Sequence, residues 1–251
     1  MKKIFIAVLA ISFTIIACEK KSGYVDPSLP ATGAKVKFIN TSWNSPGVIF
    51  YGTDTIMKFS AGTTATGGLL TGTTFNQTYP SNDYAVLPAY DNKLRIRVAQ
   101  NATVTPGVFM ELNNVKFEEG KNYSVFLVDS FPTVTTLVLN DDLKNFNTLT
   151  DSTYSARFVN TIFGSPAVDI FSVRENAVLA SNIPYKGFTE FKTLKVWSSA
   201  DEMQVRLAGT TTVLAKIAFT PTVQRTYTLF ARGRYGNTTT AIPALSFYTN
   251  Q

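Results

Sequence analysis

The chain has 251 residues, 45% apolar and 13% aromatic, which is long enough to bury a core and too hydrophobic for a disordered segment. Only 16% are charged, and the formal net charge of +6 comes from scattered residues, which excludes a nucleic-acid footprint. There is no His and one Cys, which excludes Ser-His-Asp and Cys-His catalysis, His-based zinc sites, Cys₄ sites and an intramolecular disulfide.

Residues 1–17 have the form of a signal peptide. Lys2 and Lys3 charge its start, Ile4 to Ile16 is apolar apart from Ser12 and Thr14, and Ala17 is the small residue before a cut. The apolar stretch is short for a transmembrane helix. The sole Cys follows at once, and Ile15-Ile16-Ala17-Cys18 resembles a bacterial lipobox. That resemblance implies cleavage before Cys18 and diacylation of its thiol. Two or more acyl chains hold a protein firmly on a membrane, whereas one holds it marginally. Residues 18–33 read as the lipidated tether: polar, with Pro27 and Pro30 and little to pack. Glu19 stands where an Asp would resemble an inner-membrane retention signal, so the outer membrane is favoured. The periplasmic and surface faces both stay open.

The remainder repeats. Residues 37–51 (KFINTSWNSPGVIFY) match 157–171 (RFVNTIFGSPAVDIF) at an offset of 120. Residues 84–98 match 193–207 at an offset of 109, and Asn122–Phe126 match Thr226–Phe230 at an offset of 104. Three blocks in one order predict two homologous domains, 34–140 and 154–251, with 141–153 as linker. The change of offset puts 11 extra residues into 52–83. That stretch is rich in Gly and Thr and predicts a long loop.

Each half reads as strands. Lys35 to Phe38, Leu94 to Val98, Leu194 to Val196 and Met203 to Leu207 alternate polar and apolar residues. Val134 to Leu139 and Thr226 to Phe230 are rich in β-formers. The alternation predicts antiparallel sheets with one wet face. The expected fold is all-β: two tandem immunoglobulin-like or transthyretin-like antiparallel β-sandwich domains. Arg157-Phe158-Val159-Asn160 with Ser165-Pro166-Ala167-Val168-Asp169-Ile170 resembles the opening of the domain of unknown function 4397 family. Val205 to Leu214 resembles that family's second hairpin, and Tyr227-Thr228-Leu229-Phe230 its closing strand. The resemblance implies extracytoplasmic β domains, often in tandem on lipoproteins, with no known activity. The first half departs from it by carrying Ile49 where the second has Asp169.

Chemistry-bearing residues are sparse. Glycoside hydrolysis needs two carboxylates facing across a cleft. The pairs Glu118-Glu119 and Asp141-Asp142 are adjacent in sequence, so in strands they would point to opposite faces. They read as solvated turn residues. Asp141, Asp142, Asn145, Asn147 and Asp151 offer oxygens for calcium, but not at EF-hand spacing. No metal site, catalytic residue or cofactor follows. Asp54-Thr55-Ile56 and Asp151-Ser152-Thr153 resemble an O-glycosylation acceptor of some Gram-negative envelope proteins. Arg232-Gly233-Arg234-Tyr235 is the densest basic spot and reads as surface charge.

Aromatic residues carry the binding expectation. Trp43 and Phe163 occupy one position of the same loop in the two halves. They fit either a lid over the core or a platform for a sugar or partner. Trp197 alternates onto the face of Lys195, opposite Val196, as an exposed contact residue. Tyr79, Tyr84 and Tyr90 flank the end of the long loop and extend that surface. The sequence thus points to a non-catalytic, outer-membrane-anchored lipoprotein acting in binding or adhesion. Its partners are the membrane, through lipid on Cys18, and a glycan or envelope protein. The alternatives are an accessory structural subunit of an outer-membrane or surface assembly, and a polysaccharide or ester hydrolase.

Overall fold

The structure is a computed structural model that describes residues 33–52, 58–59, 71–87, 93–100, 102–103, 105–114, 116–143 and 147–251. The signal peptide, Cys18, Tyr90 and Asp54-Thr55-Ile56 lie outside the described residues.

The chain is all-β, and its sheets form sandwich-like domains. The first half contains β1 (Ala34–Asn40), β2 (Val48–Tyr51), β3 (Lys58–Phe59), β4 (Thr78–Tyr79), β5 (Ala85–Leu87), β6 (Lys93–Val98), β7 (Phe109–Asn114), β8 (Asn122–Ser130) and β9 (Thr133–Asn140). The second contains β10 (Thr153–Asn160), β11 (Val168–Ser172), β12 (Ala177–Ile183), β13 (Lys192–Lys195), β14 (Asp201–Leu207), β15 (Val213–Phe219), β16 (Thr226–Arg232) and β17 (Ala244–Thr249).

Each half has an inner and an outer sheet. The first inner sheet runs β4-β1-β8-β9, with β5 also on β1, and its outer sheet runs β3-β2-β6-β7. The second inner sheet runs β13-β10-β16-β17, and its outer sheet runs β12-β11-β14-β15. Phe38, Val125 and Leu127 of the first inner sheet pack on Phe50, Ile96 and Leu112 of its outer sheet. Phe158, Leu229 and Leu245 pack likewise on Val168, Ile170 and Val205. A third cluster joins the two inner sheets through Ile39, Phe126, Val128 and Leu139 on one side and Val159, Phe230 and Tyr248 on the other. The result is a stack of four sheets with the inner pair back to back.

Two expectations are corrected here. First, the inner sheets are mixed: β1 runs parallel to β8, and β10 parallel to β16. The first strand of each half joins the inner sheet at its start, and the chain visits the outer sheet before returning, so the returning strand arrives beside it in the same direction. Second, the central strands of the inner sheets have no wet face. Along β10 every residue from Tyr154 to Asn160 is buried, the continuous pattern of a sheet covered on both sides. Lys37 and Arg157, which alternation places on a polar face, are buried between the inner sheets.

The three sequence blocks fall on equivalent strands. Lys35 opposes Asn122 and Ser155 opposes Thr226, at offsets of 120 and 104. Val48 opposes Val98 and Val168 opposes Leu207, at offsets of 120 and 109. The described residues of the 52–83 segment are not all loop. Phe59 of β3 is buried in the core, Thr73 bridges Val48, and β4 pairs with β1.

The repeated Asn-Thr···Ser-Pro motif is a fold device. Asn160 Nδ2 donates to Ser165 Oγ (3.1 Å) and to Ile183 O (3.1 Å), and Ile162 N donates to its Oδ1 (3.1 Å). Asn40 makes the matching bonds with Ser45, Thr73 and Ser42. Thr161 and Thr41 each donate to a carbonyl of the neighbouring parallel strand. Each Asn thus clamps the turn that leaves the inner sheet, satisfying backbone groups that burial would otherwise strand. Asp169 serves a local purpose as well. Its carboxylate accepts from Asn182 N (2.7 Å) and Gly209 N (2.8 Å), tying β12 to the β14–β15 turn. Ile49 has no such role, so this tie belongs to the second half alone.

Candidate functional site at the seam between the halves

Equivalent residues of the two halves meet at the seam. Phe126 and Phe230, matched at an offset of 104, touch edge to face with centroids 5.6 Å apart. Trp43 and Phe163, matched at 120, stack nearly parallel at 6.1 Å and 7°. A residue packing on its own counterpart is the signature of two-fold, isologous contact. The backbone enforces it. Trp43 N donates to Asp129 O (2.9 Å) and Phe131 N to Trp43 O (3.0 Å); Phe163 N donates to Gly233 O (2.8 Å) and Tyr235 N to Phe163 O (3.0 Å). The two loop aromatics are therefore partners of each other across the seam. Arg234 lies 4.4 Å over the Trp43 ring, and Tyr185 meets Phe163 edge on. The basic spot at 232–235 is thus partly interior: Arg232 covers Phe75 and donates to Ser246 Oγ (2.9 Å), and burial lowers its pKa.

Asp129 fastens this end of the seam. It stands where the second half has Gly233, and both have left-handed backbone, with φ of 68° and 111°. Lys186 Nζ (2.7 Å), Tyr185 Oη (3.0 Å) and Thr135 Oγ1 all donate to its carboxylate. Burial works to raise its pKa, but the bonds from Lys186, Thr135 and Tyr185 outweigh that and hold it below the usual carboxylate range. Burial drives the Tyr185 hydroxyl well above its ordinary value. Gly233 cannot exchange roles with Asp129, because a Cβ there would lie 2.5 Å from Ile242 O and 2.8 Å from Ala241 O. Gly233→Ala is expected to destabilise by roughly 1–3 kcal/mol. Urea unfolding checks this, and an unchanged midpoint would refute the close approach.

A polar network occupies the middle of the seam. Arg157 pairs with Asp141 and donates to Thr228 Oγ1 (3.0 Å) and Asn140 O (3.2 Å), with its guanidinium 4.7 Å over Phe191. Burial works against the Arg157 charge, but Asp141 and Tyr248 outweigh it and raise the pKa. Asp141 also accepts from Tyr84 Oη (2.6 Å), Ser124 Oγ (2.7 Å) and Asn250 Nδ2 (3.1 Å). Tyr248 Oη donates to Ser124 Oγ (2.7 Å), and burial pushes its hydroxyl up to about 12. Lys37 Nζ reaches Asn82 O (2.7 Å) and Pro80 O (3.3 Å) beside the rings of Tyr84 and Tyr248. Burial lowers its pKa to about 8, against the opposing pull of Asp141 and Asp83. Asp141 was expected to be a solvated linker residue; it is 2% exposed and the hub of the seam.

The remaining sequence candidates are dispersed. Tyr79 packs on the first core, and Tyr84 belongs to the polar network. Trp197 does share the side of Lys195, but it is half-buried between Lys195 (4.3 Å) and Arg174 (5.9 Å), with Nε1 donating to Glu175 (3.4 Å). Sequence reasoning missed Asp129, Tyr185 and Lys186. The available signal was a repeat position where one half has Asp and the other Gly.

Beside the stacked pair lies an open groove of about 440 Å³, lined by Asp129, Ser130, Phe131, Pro132, Thr133, Thr135 and Phe163. It draws residues from both halves. Among the described residues, no group of three His, Cys, Asp or Glu is placed to hold a metal, and no helix is long and apolar enough to cross a membrane.

No family model matches the chain, and no curated protein matches it. A solved structure similar to it is a family 26 carbohydrate-binding module of Eubacterium rectale Amy13K, in complex with maltoheptaose. That chain shares 10% identity, with 87% of this chain and 97% of the other covered, at a TM-score of 0.26.

Proposed function

We propose that this chain is a non-catalytic binding module held at the outer membrane by lipid on Cys18. The observation that carries this reading is the seam groove, a cleft of small-molecule size lined by residues within 129–135 of the first half and closed by Phe163 of the second. The walls are rigid: Phe163 is held by Trp43 and Tyr185, and Asp129 by three donors. Pre-organised walls favour binding because little ordering remains to be done. The non-catalytic reading is supported by the engagement of the carboxylates. Asp129, Asp141 and Asp169 accept structural hydrogen bonds, and Asp201 accepts from Ser172 Oγ and Arg174 N (3.0 Å). A general acid or base must be within reach of substrate with a proton to exchange.

The test is a screen of the purified protein against glycans and envelope proteins, with Thr133→Trp as a groove-blocking control. Thr133 is exposed at the start of β9, so the ring fills the groove without entering the core. Hits that vanish in Thr133→Trp support the reading. Hits that persist move the contact surface elsewhere. Shaving of the protein from intact cells by protease distinguishes surface display from a periplasmic position.

A further inference from the structure

The seam groove also defines the class of ligand it takes. We propose that it binds a neutral sugar, an inference that rests on the binding reading above. The charge in the groove is internally balanced: Asp129 is ionised and paired at 2.7 Å with Lys186. Tyr185 and Thr135 occupy further acceptor sites on that carboxylate. An anionic ligand would meet Asp129, and a cationic one would compete with an ion pair already formed. The groove therefore favours a neutral occupant.

Neutrality leaves apolar ligands and polyhydroxylated ones, and the lining separates them. Pro132 and Phe163 supply apolar surface, while Ser130 and Thr133 supply hydroxyls; the Thr135 hydroxyl is already engaged by Asp129 and Lys186. Thr133 is exposed, and Ser130 makes only a 3.4 Å bond to the adjacent carbonyl. Both hydroxyls can exchange water for a ligand hydroxyl. A purely apolar ligand would cover the Thr133 hydroxyl and the weakly bonded Ser130 hydroxyl without offering either a partner. A pyranose ring matches both features, with an apolar C–H face for the aromatic surface and equatorial hydroxyls for Ser130 and Thr133.

The test is calorimetric titration of the full chain in detergent with three probes: neutral glucan and mannan oligosaccharides, an oligogalacturonate, and a Pro-rich peptide. The fluorescence of Trp43, stacked behind Phe163, gives a second readout. The expected result is binding of a neutral oligosaccharide, weakened at least tenfold in Ser130→Ala/Thr133→Ala with unchanged Tm, and abolished in Thr133→Trp. Binding of the oligogalacturonate or peptide instead, with the same sensitivity to Thr133→Trp, would overturn the ligand class and leave the binding reading standing. Absence of groove-dependent binding to any probe would overturn both.

Discussion

Arg157→Met is expected to destabilise the protein by about 3–5 kcal/mol and to lower Tm by roughly 10 °C. The Arg157–Asp141 pair lies between two sheets, with side chains 2% and 0% exposed. Removing the guanidinium leaves Asp141 charged and buried, with only neutral donors from Tyr84, Ser124 and Asn250. Hydrogen bonds alone compensate a buried carboxylate poorly. The double variant Arg157→Met/Asp141→Leu should recover much of the loss, because both desolvation costs disappear together. Calorimetry of the single and double variants measures this. A single-variant Tm within 2 °C of wild type would show that water reaches the seam and that the pair contributes little.

Lys37 predicts an unusual pH dependence. Its folded pKa is about 8, against 10.5 for the free side chain. Between these values the unfolded chain binds more protons than the folded one, so stability rises with pH. Below pH 8 both states are protonated, and the burial cost of the charge is fully present. Raising the pH from 8 to 9.5 should stabilise wild type by on the order of 2 kcal/mol relative to Lys37→Met. The window stops there because unfolded tyrosines begin to ionise near pH 10, while burial and Asp141 hold Tyr84 protonated to far higher pH. That group works in the opposite direction, since its stabilisation is lost as pH rises above the unfolded value. Paired urea titrations at pH 8 and 9.5 read the difference. Parallel behaviour of wild type and Lys37→Met would mean that the ammonium is solvated in the fold.

The isologous seam also changes how the repeat is understood. The Asn-Thr···Ser-Pro motif marks the repeat in sequence because it recurs with fixed spacing. In the fold, Asn40 and Asn160 clamp turns, Thr41 and Thr161 bond the parallel strand, and Phe38 and Phe158 fill the cores. The positions that differ between the copies are the more informative ones. Asp129 against Gly233 is one such position. Tyr185 against Phe75 is another, since the residues that follow them, Lys186 and Asn76, donate their N–H groups to the equivalent Asn160 O (2.8 Å) and Asn40 O (2.7 Å). The groove forms beside the first of these differences.

Alternation and repetition in the sequence were enough to identify strands, the all-β class and the equivalence of the three blocks. Leu94–Val98 and Met203–Leu207 lie in outer strands, where one face packs on the core and the other meets solvent, so period-two patterning described them correctly. The same patterning misread β1, and β10 at the equivalent place is covered in the same way. Alternation reports which side of a strand a residue occupies, but not what covers that side. Lys37 and Arg157 alternate as solvent-facing residues would, yet a second sheet lies over them and each finds its partners there. The parallel pairs, the burial of Asp141, the meeting of Trp43 with Phe163 and the seam groove all depend on contacts between residues tens to more than a hundred positions apart. Only the packing of the two inner sheets on each other decided those contacts.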